Sequence, residues 1–467
     1  MARTVHAQSD APTLAQKIDP ILSGSWSGDF SSGSGARNRV IFHITSYENG
    51  TCSATWDIPN LAWFGNRFTT SSCEKRTLLF QSDSSDMIFE GALSPDALSI
   101  AGMLRQRRTS SAVVLKKLIE SPRLQEPTAY SELVVADLTF QNRPAGVTIG
   151  GSLTMPDTLG RYPLVILAGD HGQSDRDARG SSGHAPYLVM ASLFSKQNIA
   201  TLRIDDRGTG QTTGTSEENS VDDEASDICA ALEQMRVNPH VDTTRIVIVG
   251  HGEGGLTAAM VAQRYPTIVA RIVCMGTSAL DGPLALREQV GARERARETD
   301  EELITVATEL LAKWCAIVAG GGTDDVIVPK IIAVTDSTIE DRPDLLSRFP
   351  MAAQFQRPDR DLYVRSTLIP WLRSYVWYKP SAFFSGVRQP MLALYAERDV
   401  EVPGEIHAKA MRAIMSSRSR VLVEVIQDVN HMFQTCDECT EEEMIQLGET
   451  MNPAVLNRIS RWVLQGK

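Results

Sequence analysis

The sequence lacks a long apolar run. None of its apolar stretches approaches the roughly 20 consecutive residues that a helix needs to cross a bilayer. Residues 1–20 form a weakly patterned tail without the apolar segment of a signal peptide. The chain as given is therefore predicted to be cytoplasmic and to have no membrane span. A secreted form is predicted only if a signal peptide was removed upstream.

Positive charge is also scarce. The 46 lysines and arginines are outnumbered by 57 aspartates and glutamates, which gives a net charge of −11. A nucleic-acid-binding protein presents a basic stripe or patch, and the short run Arg105–Arg108 is better interpreted as a solvated loop. Nucleic acid is therefore excluded as an expected partner.

Cysteines are few and scattered. Seven of them, an odd number in a long chain, indicate free buried thiols rather than a disulfide framework. Cys52 and Cys73 are expected to pair only in an oxidising compartment. Cys436 and Cys439 have redox or zinc spacing, but no second pair accompanies them, so surface positions are predicted. Neither a metal nor a cofactor is expected.

The apolar pattern divides the chain. After the tail, short alternating runs over residues 21–118 predict a small antiparallel β-domain. A proline-containing stretch over residues 119–130 is interpreted as a linker. Residues 131–467 are then predicted to form one large domain.

In this large domain an opening hairpin is followed by alternating strand and helix signals. Such alternation predicts an α/β fold with a mostly parallel sheet flanked by helices. The alternation stops at about 281–385, where apolar helical segments predict a helical cap inserted over the sheet's C-terminal edge. Thr299–Glu302 is interpreted as a capping box that starts one of these helices, and Asn452 as the cap of the last helix.

One stretch, Arg245–Gly255, combines a strand, a glycine-rich corner and the start of a helix. This is the context of a nucleophile elbow, Gly-x-Ser-x-Gly, in which the middle residue is lifted to the top of the sheet. The middle residue here is Gly252, which has no hydroxyl group. The scaffold of a serine hydrolase is therefore present without its attacking atom.

Two further loops follow apolar strands and carry reactive side chains. Asp399 follows the strand Met391–Tyr395, and His431 follows the strand Val421–Ile426. In parallel sheets reactive groups gather where strands end. The order elbow, Asp, His is that of the α/β-hydrolase triad.

On these motifs the chain resembles the bacterial esterase branch of the α/β-hydrolases, related in its catalytic domain to prolyl-oligopeptidase-type enzymes. The resemblance covers most of the chain and rests on Gly24–Gly28, Gly151–Pro156, Leu202–Gly210, Val249–Gly255, Tyr395–Pro403 and Asn430–Gln434. It implies that His431 is the general base and that Asp399 orients it. It also implies that the backbone amide of Glu253 donates to an oxyanion.

The loop after the strand Pro163–Ala168 differs from the resembling enzymes, in which a second oxyanion amide lies there. It carries Asp170, whose amide is a candidate for that donor, and His171, a candidate for a second acid or base. The alternative for His171 is a histidine packed in a loop. His251, next to the elbow glycine, is expected to pack beside the sheet.

Gly252 leaves three hypotheses open. His431 and Asp399 could carry out general-base chemistry without a serine nucleophile, as in a lyase, a cyclase or a non-covalent hydrolysis. The chain could be an ordinary carboxylesterase or thioesterase whose serine was replaced by glycine. It could also be a non-catalytic protein that binds a small ligand, because glycine relieves the backbone strain of an elbow.

Aromatic residues of the predicted cap indicate an apolar pocket over the site. Trp371 and Trp377 are the candidates for contact with substrate, although such aromatics can also form the core of the cap itself. A small carbonyl- or ester-containing molecule is the expected substrate.

Overall fold

A computed structural model gives the architecture of the chain. It describes residues 19–31, 37–47, 51–58, 63–74, 76–82, 86–106, 109–118, 123–127, 133–170, 174–179, 183–215, 220–348, 355–368 and 370–466. The chain divides into two compact units. The first comprises Met1–Leu118 with Ser347–Ala353, and the second Ile119–Leu346 with Gln354–Lys467. Residues 1–18 of the predicted tail and residues 119–122 and 128–130 of the predicted linker lie outside the described residues.

The first unit is a nine-stranded antiparallel sheet in the order β4-β3-β2-β1-β9-β8-β7-β6-β5. Its strands are β1 Gly24–Ser31, β2 Arg37–Ser46, β3 Cys52–Ile58, β4 Trp63–Arg67, β5 Thr70–Glu74, β6 Thr77–Ser82, β7 Met87–Leu93, β8 Ser99–Gln106 and β9 Thr109–Lys117. The inward side chains of these alternating strands form one core. In it the Phe42 ring meets the rings of Phe68, Phe80 and Phe89 edge to face, with centroids 5.0–5.9 Å apart. The predicted β-domain is therefore observed as an antiparallel sheet.

The second unit is built on an eight-stranded sheet in the order β10-β11-β13-β12-β14-β15-β16-β17. Its strands are β10 Val134–Asn142, β11 Val147–Met155, β12 Tyr162–Ala168, β13 Ala200–Ile204, β14 Val241–His251, β15 Val269–Met275, β16 Met391–Ala396 and β17 Val421–Ile426. Strands β10 and β11 form the predicted hairpin, and β11 also runs antiparallel to β13. All other neighbours in this sheet are parallel. The predicted α/β class with a mostly parallel sheet is confirmed.

Helices occupy the connections. They are α1 Pro186–Lys196, α2 Val221–Met235, α3 Gly254–Arg264, α4 Gly282–Ala296, α5 Glu301–Ala319, α6 Asp324–Asp341, α7 Leu345–Arg348, α8 Arg360–Thr367, α9 Pro370–Tyr375, α10 Pro380–Phe384, α11 Gly404–Ile414, α12 Glu441–Gln446 and α13 Pro453–Gln465. Seven of them, α4 to α10, lie between β15 and β16, where the sequence predicts a helical insert. No helix in the described part of the chain is both long and apolar enough to cross a membrane.

Both faces of the second sheet are buried. Alternate residues of β12 show this, because Leu164 and Ile166 belong to one apolar cluster and Val165 and Leu167 belong to another. A strand that is apolar on both sides must be covered on both sides, which explains its continuous apolar sequence. The carboxyl ends of β12, β14, β16 and β17 lie along the same edge of this sheet.

Two helix starts test the capping predictions. Asn452 caps α13 as predicted, since its side-chain oxygen accepts a hydrogen bond from the Ala454 amide at 2.8 Å. The capping-box prediction for α5 is wrong about the capping residue. Asp300 rather than Thr299 caps that helix and accepts from the Glu302 amide at 2.9 Å, because the Thr299 hydroxyl donates to Glu294 instead.

The cysteine predictions are also corrected. Cys52 and Cys73 form a disulfide between β3 and β5, and Cys436 and Cys439 form a second one. The second pair is buried, with 4% and 7% exposure, and does not lie on the surface. Sequence spacing alone could not show that β3 and β5, far apart in strand order, come together in space.

Candidate active site

The elbow has the predicted strand-turn-helix geometry. Strand β14 ends at His251, and helix α3 begins at Gly254. Between them Gly252 has a φ of +54°, a left-handed conformation that glycine adopts without steric cost. A Cβ atom at Gly250 would overlap the backbone of Gly254, so the strand and the helix pass too closely for a side chain there.

The space beside Gly252 is filled by another residue. A Cβ atom built on Gly252 would overlap the carboxylate of Asp170, which follows the end of β12. Asp170 Oδ1 accepts a hydrogen bond from the Glu253 amide at 2.9 Å, and Asp170 Oδ2 lies 3.1 Å from His431 Nε2. The carboxylate therefore occupies the place in which an elbow side chain would stand.

His431 has a second carboxylate partner on its other side. Its Nδ1 atom lies 2.7 Å from Asp399 Oδ2. The other oxygen of Asp399 is held by the backbone amides of Glu401 and Val402, both at 2.7 Å. The structure thus brings together Asp399 and His431 beside the elbow glycine, and Asp399 is fixed by its own loop.

These contacts set the charges of the site. Burial lowers the pKa of His431, but the charges of Asp399 and Glu401 and its hydrogen bonds to both aspartates outweigh burial and hold that pKa well above its ordinary value. Burial raises the pKa of Asp170, but the hydrogen bond and charge of His431 hold it well below its ordinary value. These directions favour a protonated His431 ring, which lies between the side chains of Asp170 and Asp399.

His251 belongs to the same cluster. Its ring centroid lies 4.6 Å from that of His431, and its Nε2 atom donates to the His431 carbonyl oxygen at 2.9 Å. Burial lowers the pKa of His251, which favours the neutral ring. A ring nitrogen of each histidine and a carboxylate oxygen of Asp170 lie within 4.8 Å of one another, and this group could hold a metal ion.

Two more acidic side chains bond to the loop that carries Asp170. Glu224 accepts from the Gly169 amide at 2.7 Å and from the Thr257 hydroxyl at 2.6 Å, and burial with the nearby charge of Asp206 raises its pKa to about 8. Asp206 accepts from the Ser174 amide at 2.8 Å, and burial raises its pKa to about 6. Both side chains hold the ends of the loop that carries Asp170.

Other predicted site residues have different outcomes. His171 lies outside the described residues, and so does the side chain of Trp371, which belongs to α9. Trp377 is 64% exposed. Their suggested roles stay predictions, as does that of the Asp170 backbone amide.

The sequence predicts a role for the Asp170 amide but not for its carboxylate. The missing elbow side chain and an acidic residue in the neighbouring loop are the signals that point to it. His251 is expected to pack beside the sheet, and its buried ring lies against that of His431.

Residues 181–319 match the sequence model of the hydrolase family described as serine aminopeptidase, S33. No curated protein matches the chain. Together with the sheet order, this match supports an α/β-hydrolase fold, as the sequence predicts.

Several solved structures are similar at low identity. The ferulic acid complex of Est1E from Butyrivibrio proteoclasticus is 15% identical, with 70% of this chain and 98% of that chain covered and a TM-score of 0.40. An esterase of Pyrococcus furiosus is 14% identical, with 75% and 98% covered and a TM-score of 0.42. The α/β-hydrolase GrgF from Penicillium sp. sh18 is 16% identical, with 71% and 98% covered and a TM-score of 0.41.

Proposed function

We propose that the chain is an enzyme with an α/β-hydrolase fold that acts on a small carbonyl- or ester-containing molecule without a serine nucleophile. His431 is its general base, Asp399 orients that base, and the Glu253 amide stabilises the substrate oxyanion. One observation carries the proposal. The groups Asp399, His431, Asp170 and the Glu253 amide form an unbroken chain of hydrogen bonds at the elbow.

Asp170 has a specific role in this proposal, which is to close the resting site. Its Oδ1 atom accepts the hydrogen bond of the Glu253 amide. A substrate oxygen can therefore bind to that amide only after the carboxylate moves away. The same movement removes the Asp170 carboxylate, one of the acidic groups that stabilise charged His431. The pKa of His431 then falls, and its Nε2 atom becomes able to accept a proton.

For an ester, the proton balance is simple. His431 Nε2 takes a proton from water, and the water oxygen attacks the carbonyl carbon. The oxyanion that forms accepts a hydrogen bond from the Glu253 amide. The bond between the carbonyl carbon and the alcohol oxygen then breaks, and the leaving oxygen takes the proton back from His431. The same base could instead remove a proton from a substrate carbon or hydroxyl, as a lyase or a cyclase requires.

The proposal is tested by turnover of small esters and, by mass spectrometry, of small-molecule mixtures. We expect His431→Ala to lower turnover by about 10²–10⁴-fold, the usual contribution of a positioned base. Asp170→Ala should raise it, by up to about tenfold for each unit that the pKa of His431 falls toward the assay pH.

The control is Asp222→Ala, which removes a carboxylate whose side chain is 73% exposed, on the surface of α2. It should leave turnover unchanged. If Asp170→Ala loses turnover together with His431→Ala, then Asp170 takes part in the reaction and does not close the site. If wild type and Asp170→Ala are both inert, the serine-free mechanism is wrong.

A second candidate is an ordinary esterase that has lost its serine. It is favoured by the bond between His431 and Asp399, which such an enzyme also needs. Because a side chain at Gly252 would overlap Asp170, the informative variant is Asp170→Gly combined with Gly252→Ser. Ester turnover that appears only in this double variant, with a burst of acyl-enzyme, would favour this candidate.

A further inference from the structure

The cluster beside the elbow contains more than a base and its partners. Asp170 follows β12, His251 ends β14 and His431 lies in the loop after β17. One potential ligand atom of each lies within 4.8 Å of the others. Two imidazoles and a carboxylate are the donors that zinc and its neighbours among the divalent transition metals prefer. Both histidines are buried, with 8% and 7% exposure, so water competes little for their nitrogens.

The spacing suits one such ion. His431 Nε2 and Asp170 Oδ2 are 3.1 Å apart. With metal–ligand distances of about 2.0–2.1 Å in a tetrahedral site, two ligand atoms lie about 3.3 Å apart. An ion can therefore replace the proton between these two atoms with little movement of either.

The other nitrogens of both histidines are already held by acceptors. His431 Nδ1 is bonded to Asp399, at 2.7 Å, and His251 Nε2 donates to the His431 carbonyl, at 2.9 Å. Metal-binding histidines are oriented in this way, by a carboxylate or a carbonyl on the second ring nitrogen. With those nitrogens engaged, an ion would be bound through Nε2 of His431 and Nδ1 of His251.

The surrounding charge favours a cation. Asp399 and Glu401 both stabilise positive charge at His431, and Asp170 stabilises positive charge at His251. A divalent ion would meet the same carboxylates. Gly252 contributes by leaving the space that Asp170 fills, since a side chain at the elbow would displace the carboxylate ligand.

We propose that Asp170, His251 and His431 form a binding site for a divalent transition-metal ion of the zinc class. Binding does not depend on the function proposed above. Its consequence does, because an ion on His431 Nε2 occupies the lone pair that a general base needs. Where that function holds, the ion therefore inhibits turnover.

Binding is tested with the full chain after metal removal by a chelator. Titration with Co²⁺ should give the visible absorption of a low-symmetry site at one equivalent, and Zn²⁺ should displace it. Affinity for Zn²⁺, measured by calorimetry, should fall by at least about 100-fold in His251→Ala and in Asp170→Asn. Asp399→Asn removes the carboxylate that orients His431 and should lower the affinity for Zn²⁺ by about 10–100-fold.

His240→Ala is the matched control, because this half-buried histidine lies on the loop before β14 and its loss should leave the affinity unchanged. Circular dichroism of each variant shows whether it is folded. The proposal is overturned if folded His251→Ala and Asp170→Asn bind as tightly as wild type, or if no saturable binding occurs. It is also overturned if the intense near-ultraviolet bands of a Co²⁺–thiolate show that a free cysteine such as Cys229 is the ligand.

Turnover measurements separate the two proposals. If metal ions bind saturably at these residues but the protein turns over no substrate, the metal-site proposal stands and the proposed function is wrong. If the metal-free protein turns over substrate and Zn²⁺ does not change the rate, the result is the opposite. The proposed inhibitory metal site is then wrong, and the proposed general base stands.

Discussion

At the scale of single residues, Gly252 and Asp170 depend on each other. The left-handed backbone at Gly252 suits glycine, and the absence of a Cβ atom there leaves room for the Asp170 carboxylate. The carboxylate in turn accepts a hydrogen bond from the Glu253 amide and bonds to the His431 ring. Without it, each of these two groups would lose one partner. A change at either position should therefore alter the energetic effect of a change at the other.

This dependence predicts a non-additive pair. Gly252→Ala should lower the free energy of unfolding by about 2–4 kcal/mol, because the new methyl group adds left-handed strain and displaces Asp170. With Asp170→Ala already present, only the strain of about 1–2 kcal/mol should remain. Denaturant unfolding of both single variants and the double variant measures the difference. Additive losses would show that the two side-chain positions do not share one space.

At the scale of secondary-structure elements, a disulfide joins distant strands of the first unit. Strands β3 and β5 lie near opposite ends of the sheet order, and Cys52–Cys73 links them. The bridge therefore holds the two ends of the nine-stranded sheet together.

Removal of the Cys52–Cys73 bridge should destabilise the first unit. The two cysteines are 21 residues apart, and closing a loop of that length stabilises a fold by about 3 kcal/mol in the chain-entropy model. We expect a loss of that order for Cys52→Ala combined with Cys73→Ala, measured by denaturant unfolding of the full chain. Cys436→Ala combined with Cys439→Ala, which opens a much shorter loop, should cost less. Equal stability with and without the long bridge would contradict this account.

At the scale of the whole molecule, the sequence predicts what depends on local pattern and chain order. Alternation of apolar residues indicates the antiparallel unit, and alternating strands and helices indicate the parallel sheet. Because parallel strands end on one side, the positions of Asp399 and His431 after β16 and β17 were enough to predict that they meet near Gly252.

Other features depend on distances across the fold that no local pattern shows. The Asp170 carboxylate reaches the elbow because of the path of one loop, while the sequence pointed to its backbone amide. The contact between the rings of His251 and His431 joins the end of β14 to a loop residue 180 positions further along the chain. The pairing of Cys52 with Cys73 requires the ends of a sheet to approach each other.

The protonation state of His431 tests the central claim most directly. The charges of Asp399 and Glu401 and the hydrogen bonds to Asp170 and Asp399 outweigh burial and hold its pKa well above the ordinary value. The charged ring should therefore persist at neutral pH and lose its proton only as the pH rises through that raised pKa. Nitrogen-15 NMR of the chelator-treated full chain, with the signal assigned by its loss in His431→Ala, reports the state of both ring nitrogens. We predict two protonated nitrogens at pH 7.5 in wild type and a midpoint shifted to lower pH in Asp170→Ala. A neutral ring in wild type at that pH, or the same midpoint in both proteins, would contradict the placement of His431 between Asp399 and Asp170.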